Sequence, residues 1–401
     1  MSPMATTVLL SDDRRSRIVA GRGAPKNLRP PHPPPTGQHQ SAETFTPRAF
    51  ETDHEEGGLI VTGTDEEAMD RAIAAASRVR MATSPRPWVG AIIEPGGYSG
   101  ATDGQTGPHA EVVALRAAGR RARGATVYST LEPCSHVGRT GPCADALIEA
   151  GVARVVVAIA DPDPLVAGQG IDRLRAAGIV VDVGVRADRV RRQLAPYLKH
   201  RTTGRPYVVL KLAATIDGGT AAPDGTSQWI TGPEARADAH RLRAESDAIL
   251  VGAGTVRADD PSLTVRDLAP ELVDLPRKGD PLRVVLGTAP ADARIQPALE
   301  VHGDLGEVLD HLGSLDVLQL MIEGGAAAAA SFHRAGLVDR YVIYLAPALF
   351  GGEDAKGLFS GGGAPTIDDL WRGRITLVES LGSDLRIELE PATAPLTGDR
   401  G

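Results

Sequence analysis

One histidine, one glutamate and two cysteines stand in a pattern that could do chemistry: His109-Ala110-Glu111, then Pro133-Cys134, then Cys143. An imidazole and two thiolates make three soft or borderline ligands. That is the number a catalytic zinc takes while leaving its fourth position for water. Glu111 lies two residues from the histidine, at the start of a helix, where its carboxylate can reach the water without joining the coordination sphere. In such a site the metal can generate a hydrolytic nucleophile, and the glutamate can act catalytically by shuttling a proton. Both cysteines of the chain fall in this one pattern, which sets them apart from the ordinary cysteine buried as a small hydrophobe. A structural disulfide between them is not expected in a reducing cytoplasm.

The elements that must position these residues follow from periodicity. Asp65 is placed to cap a helix carrying Met69, Ile73 and Ala76 on one face. Strands over 89–93, 126–130, 154–159 and 179–183 alternate with helices over 110–118 and 143–150, which predicts a three-layer α/β domain with a largely parallel sheet. Pro142-Cys143 suits a helix start, where proline is tolerated and the dipole favours a thiolate. If the helix starts at His109 and Cys143 converge at one sheet edge, the ligands meet. The stretch YLKHRTTGRP, residues 197–206, is charged and ends in a turn, and marks the domain boundary. Beyond it the rhythm restarts, with strands over 207–212, 248–251, 282–286, 318–322, 340–345 and 385–389 and helices over 233–245 and 326–335. The predicted organisation is an extension over 1–57, a first domain over 58–199, a second over 200–394 and a flexible tail over 395–401.

Composition narrows the function classes. At 401 residues the chain needs more than one core, and its 3% aromatic content leaves those cores to Val, Ile, Leu and Ala. A net charge of −8 argues against general nucleic-acid binding. No apolar run nears the roughly 18 residues that span a bilayer, and the N-terminus lacks a secretion signal, so the expected compartment is the cytoplasm. Residues 1–50 hold eight prolines, and seven Lys/Arg against three Asp/Glu. That composition predicts a disordered basic extension, with a phosphate- or partner-binding arm as the sharper alternative.

Wider motifs surround the metal pattern. The spacing Cys134-x8-Cys143 comes inside LEPCSHVGRTGPC, with GPHAEVVALRAAG upstream and DPDPLVAGQG downstream; KLAATIDGGTA, SQWIT, ILVGAGTVRADDPSLTVR, IEGG and APALFGG follow in the second half. Over roughly residues 60–390 the chain resembles the bifunctional riboflavin-biosynthesis deaminase–reductases. The resemblance implies a cytidine-deaminase-like α/β/α domain followed by a dihydrofolate-reductase-like α/β domain. The first would deaminate a diaminopyrimidinone bearing a phosphoribosylamino group, and the second would reduce the ribosyl chain to ribityl with NADPH. His109, Cys134 and Cys143 would hold zinc, with Glu111 as the proton shuttle. Ser227, Arg243, Leu263, Arg266 and Glu323 fall where the family contacts substrate. Ala213, Trp229, Thr255, Asp259 and Thr288 fall where it contacts NADPH, as does the run Gly325, Ala326, Ala327, Ala328, Ala329, Ala330 and Ser331. Lys211 lies on a strand at the expected cleft, placed to orient substrate. A phosphorylated pyrimidine is the expected partner and a homo-oligomer the expected assembly, with no nucleic acid or membrane.

The chain departs from the family pattern at identifiable places. Arg86 stands where the family commonly has the Asn of Pro-Asn-Pro, and a histidine usual within 96–107 is absent. Gly219 replaces an arginine, and Ala326-Ala327 replaces Pro-Thr. These substitutions define the alternatives: an enzyme with only its deaminase half active, or a non-catalytic homologue.

Overall fold

The computed structural model describes residues 63–135, 141–164 and 166–392. The predicted extension and tail lie outside the described residues. The first half runs α1 (Gly63–Ser77), β1 (Gly90–Glu94), β2 (Tyr98–Ala101), α2 (Ala110–Ala118), β3 (Thr126–Leu131), α3 (Cys143–Ala150), β4 (Arg154–Ile159), α4 (Gln169–Ala176), β5 (Val180–Val183), α5 (Ala187–Gln193) and α6 (Ala195–Thr203). Its five strands form one sheet in the order β2-β1-β3-β4-β5.

That sheet is mixed rather than largely parallel. β3, β4 and β5 run parallel, but β1 is antiparallel to both β2 and β3. The β1/β2 pair is antiparallel because its three-residue link, Pro95-Gly96-Gly97, is too short for the crossover that a parallel pair needs. The Glu94 carboxylate closes this turn by accepting the Gly96 and Gly97 amides at 2.7 and 2.9 Å. Gly100 on β2 then decides how near α2 can lie, since a Cβ there would sit 2.1 Å from the Ala110 carbonyl oxygen. Asp65 is the third residue of α1. It lies inside the first turn with its buried carboxylate accepting from the Tyr128 hydroxyl at 2.7 Å and from Arg154 at 2.8 Å. A buried charge needs such partners.

The second half runs β6 (Tyr207–Thr215), β7 (Gly219–Ala221), α7 (Pro233–Glu245), β8 (Ala248–Gly252), α8 (Ala253–Asp259), α9 (Pro270–Val273), β9 (Leu282–Leu286), β10 (Leu299–Val301), α10 (Leu305–Ser314), β11 (Gln319–Glu323), α11 (Ala326–Arg334), β12 (Arg340–Ala346), β13 (Lys356–Gly357), β14 (Gly373–Leu381) and β15 (Asp384–Pro391). Eight strands form a sheet in the order β10-β9-β8-β11-β6-β12-β15-β14, parallel through β12 and antiparallel across β15 and β14. Alternation along β6 feeds two apolar cores: Val208, Leu210 and Leu212 enter one, and Val209 enters the other with Met321 and Val342. The central strands are therefore covered on both faces, as parallel strands require. Among the described residues no helix is long and apolar enough to cross a membrane.

Candidate active sites

The metal pattern assembles where the first sheet meets two helix starts. His109 immediately precedes α2, Cys143 is the first residue of α3, and Cys134 follows β3 by three residues. Their ligand atoms all lie within 4.8 Å of one another. His109 Nδ1 is 3.5 Å from Cys134 Sγ and 3.2 Å from Cys143 Sγ. Tetrahedral zinc with bonds of about 2.0 Å to nitrogen and about 2.3 Å to sulfur separates such atoms by about 3.5 Å, so the donor set fits the ion in chemistry and in size. The Cys143 amide donates to Cys134 Sγ at 3.4 Å, as expected of a helix start facing a thiolate. That hydrogen-bonded thiol pair splits its titration: Cys134 is pulled down to about 4 by the bond from Cys143, and the Cys143 thiol is pushed up by the same bond and by burial.

Glu111 occupies the first turn of α2, buried, and burial raises its carboxyl above the ordinary range. Oε1 lies 3.3 Å from Ser129 Oγ on β3, while the buried Oε2 has no hydrogen-bond partner among the described residues. A buried, unpartnered acceptor beside a metal ligand set leaves one position for a reacting group to fill. Ser129 Oγ also sits 2.8 Å from the Leu131 carbonyl. Its single proton serves that carbonyl, so its lone pairs can accept from Glu111 once the carboxyl is protonated. Nothing in the sequence singled out Ser129. Ser129→Ala is expected to keep zinc and to lower deaminase turnover about fivefold, the equivalent of one hydrogen bond of about 1 kcal/mol. Steady-state kinetics beside metal analysis of the same sample checks this.

Glu132, within the motif LEPC, explains how Cys134 is held. Its buried carboxylate accepts four backbone amides, those of Asp161 (3.1 Å), Gly168 (3.0 Å), Gly170 (2.9 Å) and Ile171 (3.2 Å). Gly170 must be glycine for this approach, because a Cβ would sit 1.8 Å from the Pro133 carbonyl oxygen. Glu132→Gln puts an amide NH2 against amide donors. It should destabilise the chain by about 1–3 kcal/mol, the cost of buried donors left unpaired, read as a fall in the urea midpoint. The motif text carried Glu132, but its partners lie some 30 to 40 residues away in sequence and no periodicity announces them.

In the second half, several predicted residues gather at the C-terminal ends of β6, β8 and β11, where open α/β sheets bind ligands. Arg243 on α7 grips Glu323 with both prongs, Nε to Oε2 and Nη2 to Oε1, each at 2.7 Å, and Lys211 Nζ lies 3.5 Å from Glu323 Oε1. Burial raises the Glu323 carboxyl, but Arg243 and Lys211 overcome it and hold the group at about 2. Gly324 and Gly325, both at positive φ, lie against Thr255 at the start of α11; a Cβ on Gly325 would come within 2.6 Å of Thr255 Oγ1. Leu263 is buried with φ +51, a strained conformation for a leucine, in the loop beside Arg243. Arg266 projects outward, donating to Ser262 Oγ at 2.9 Å. Trp229 is 68% exposed with Arg236 stacked on it, so it is not a core residue. Ala213 sits on β6 and Ser227 just before Trp229, while Asp259 and Thr288 are exposed. Within the run after Gly325, Ala326 and Ala327 open α11, Ala328, Ala329 and Ala330 are buried, and Ser331 Oγ bonds back to the Ala327 carbonyl.

Residues 62–159 match the cytidine and deoxycytidylate deaminase zinc-binding region, and residues 206–387 match the RibD C-terminal domain. The riboflavin biosynthesis protein RibD of Escherichia coli K12 is 40% identical over 366 residues, covering 81% of this chain and 99% of that one. The chain belongs to the RibD family. RibD of Mycobacterium tuberculosis H37Rv is 44% identical over 341 residues, covering 81% and 96%. Among solved structures, Acinetobacter baumannii RibD aligns with TM-score 0.76 at 38% identity, covering 82% of this chain and 98% of that one. A Thermotoga maritima diaminohydroxyphosphoribosylaminopyrimidine deaminase/5-amino-6-(5-phosphoribosylamino)uracil reductase aligns with TM-score 0.73 at 30% identity, with the same coverage. The family is bifunctional, and this chain carries both its zinc-binding deaminase region and its reductase domain. The RibD pattern also gives meaning to two substitutions. At Gly219, where the resemblance led us to expect arginine, a Cβ would meet the Phe350 ring at 2.3 Å. Arg86 donates to the Gly104 and Gly107 carbonyls at 3.2 and 2.9 Å, so its guanidinium braces the loop before His109.

Proposed function

We propose that the chain performs two successive reactions on one phosphorylated pyrimidine. Its first half hydrolyses an amino group from 2,5-diamino-6-(5-phosphoribosylamino)pyrimidin-4-one. Its second half reduces the ribosyl chain of the product, giving 5-amino-6-(5-phosphoribitylamino)uracil. The convergence of His109, Cys134 and Cys143 beside a buried glutamate with a free oxygen supports this reading most strongly.

His109, Cys134 and Cys143 would hold a zinc ion, which would supply the Lewis acidity that makes water a nucleophile at neutral pH. Glu111 is placed to take the proton of the attacking water. Burial favours its protonated form, and the Ser129 oxygen is in reach to accept from it. Glu111 then gives the proton to the departing nitrogen as the carbon–nitrogen bond breaks, and ammonia leaves. In the second half NADPH supplies the hydride. Gly324 and Gly325 bare the backbone at the start of α11, where a cofactor phosphate can approach. Lys211 and Arg243, both paired with Glu323, form the polar floor against which we place the ribosyl chain.

The division at residues 199/200 belongs to this reading, and the two family matches on either side support it. So do a cytoplasmic location and a homo-oligomeric state, the latter checked by light scattering. Chelation provides the test of the split. Stripped enzyme should lose deamination and still reduce the deaminated intermediate when that is supplied. Loss of both activities on stripping, with restoration of both by zinc, contradicts an assignment of the metal to the first reaction alone.

A further inference from the structure

We propose that the reductase half holds the metal loop of the deaminase half in place through the segment 80–86. Gln319, on the reductase sheet, is then a positioning residue for a reaction carried out in the other half. The inference rests on the deaminase reading of the His109 site and adds to it a structural dependence on the second domain.

The segment is buried from Arg80 through Ser84 and is pinned at both ends. At its start, Arg80 Nη2 donates to Gln319 Oε1 at 2.8 Å, and the Lys278 amide donates to the Met81 carbonyl at 2.9 Å. Gln319 is itself fixed. It is the first residue of β11, 1% exposed, with its side-chain Nε2 on Ser246 Oγ at 3.0 Å and its backbone amide on Asp247 at 2.9 Å. Because Nε2 is committed to Ser246, the oxygen is the group turned to Arg80. Arg80 stacks 3.6 Å over the Trp88 ring, and the Glu245 and Asp247 carboxylates act on it electrostatically. Its Nη1 is buried and unpartnered, so among the described residues Gln319 is the direct hydrogen-bond acceptor of this cation. Leu318, the residue before β11, joins the apolar core of the first half and closes the same contact.

At its other end the segment grips the loop that presents the metal ligand. Gln105 Nε2 donates to the Ser84 carbonyl at 2.7 Å, and Arg86 Nη1 takes the Gly104 and Gly107 carbonyls. The loop is drawn tight by Gly107 N to Asp103 O at 2.9 Å and Asp103 N to Pro108 O at 3.0 Å. A Cβ on Gly107 would come within 2.4 Å of that Asp103 oxygen, so the turn has no slack. His109 is the next residue after Pro108. A displacement of Arg80 therefore passes along a short chain to the ring that faces both sulfurs. Residues that orient a ligand from outside the coordination sphere typically change metal affinity by about 10–100-fold.

The test uses full-length, zinc-loaded enzyme and the variant Gln319→Met, which removes the acceptor and keeps the volume. Zinc release to a chelator should quicken by about tenfold, the low end for a ligand-orienting residue. Deaminase kcat/KM should fall with it, while reduction of the deaminated intermediate is unchanged. Should Gln319→Met fold poorly because Arg80 is stranded, the double variant Arg80→Met/Gln319→Met replaces both partners with apolar groups and avoids that penalty. Gln319→Glu, which keeps an oxygen for Arg80, should restore slow release. Arg86→Met should also speed release, and combined with Gln319→Met it should add less than the two single effects together, because both act through one loop. Wild-type zinc release in both Gln319→Met and the double variant, or equal loss of both activities in them, overturns the proposal. A wild-type enzyme that binds zinc but does not deaminate counts against the functional reading and leaves the zinc-release comparison standing.

Discussion

Glu111→Ala should bind zinc normally and lose deaminase turnover by about 10²–10⁴-fold, the range for removal of a positioned general acid–base. The metal should stay because the three ligands are His109, Cys134 and Cys143, and the Glu111 carboxylate is not among them. Turnover should collapse because the proton must be carried from the water to the departing amine. Among the described residues Glu111 is the buried carboxyl beside the ligands with an unpartnered oxygen. Glu111→Gln should fare little better, since an amide fills the space but cannot take the proton. Metal analysis and single-turnover kinetics on the same preparation separate the two roles. Near wild-type turnover in either variant removes Glu111 from the chemistry, and zinc loss in Glu111→Ala would make it structural instead.

Arg243→Met should cripple the other half. The bidentate contact to Glu323 and the weaker approach of Lys211 hold a buried carboxylate in its charged form. Removing one partner of such a pair costs about 3–5 kcal/mol, because the remaining charge is stranded. The sign with pH follows from the depressed carboxyl. In the wild type the stabilisation from Glu323 is complete above the ordinary glutamate range and is lost as pH falls toward about 2. In the variant most of that contribution is missing already at neutral pH, and Glu323 takes up a proton more readily. Calorimetry should show a lowered transition, at about 2–4 °C for each kcal/mol lost in a domain of this size. Reductase activity should fall with it, while zinc content and deamination persist. An unchanged transition with intact reduction would mean that the Arg243–Glu323 contact is dispensable.

Where local pattern decides an element, the sequence was enough. The helices Cys143–Ala150 and Pro233–Glu245 and the strands Arg154–Ile159 and Leu282–Leu286 stand where periodicity placed them, each an apolar run with clear turn residues at its ends. The metal ligands were legible for a related reason: cysteine is so rare in this chain that two in one motif carry a signal. Tyr98–Ala101 was missed because four residues with a glycine among them show no alternation. Gly373–Leu381 was missed because it lies at the sheet edge, with Ile375 and Val378 more than half exposed and a bulge between Ile375 and Leu377 breaking the two-residue period. The antiparallel pairing of β1 with β2 was set by a loop length that was visible, but that consequence required recognising β2.

The second site shows what spacing cannot convey. Arg243 and Glu323 were each expected near substrate, yet nothing along the chain says that they grip each other across 80 residues. The fold commits Nε and Nη2 of Arg243 to that carboxylate. Arg86, standing where the family commonly has an asparagine, braces two glycine carbonyls in the β2–α2 loop. Such pairings belong to tertiary structure, where a buried charge finds whichever partner the packing brings near.

The central claim, that one chain deaminates and then reduces the same pyrimidine, is tested most directly by mass spectrometry of the products. Zinc-loaded enzyme would be incubated with the diaminopyrimidinone phosphoribosylamine, with and without NADPH. The account predicts the deaminated ribosyl product alone without NADPH, and the deaminated ribityl product when NADPH is present. Deamination without reduction would mean that Gly219 and Ala326-Ala327 have disabled the second site. Unchanged substrate in both tubes would contradict the account.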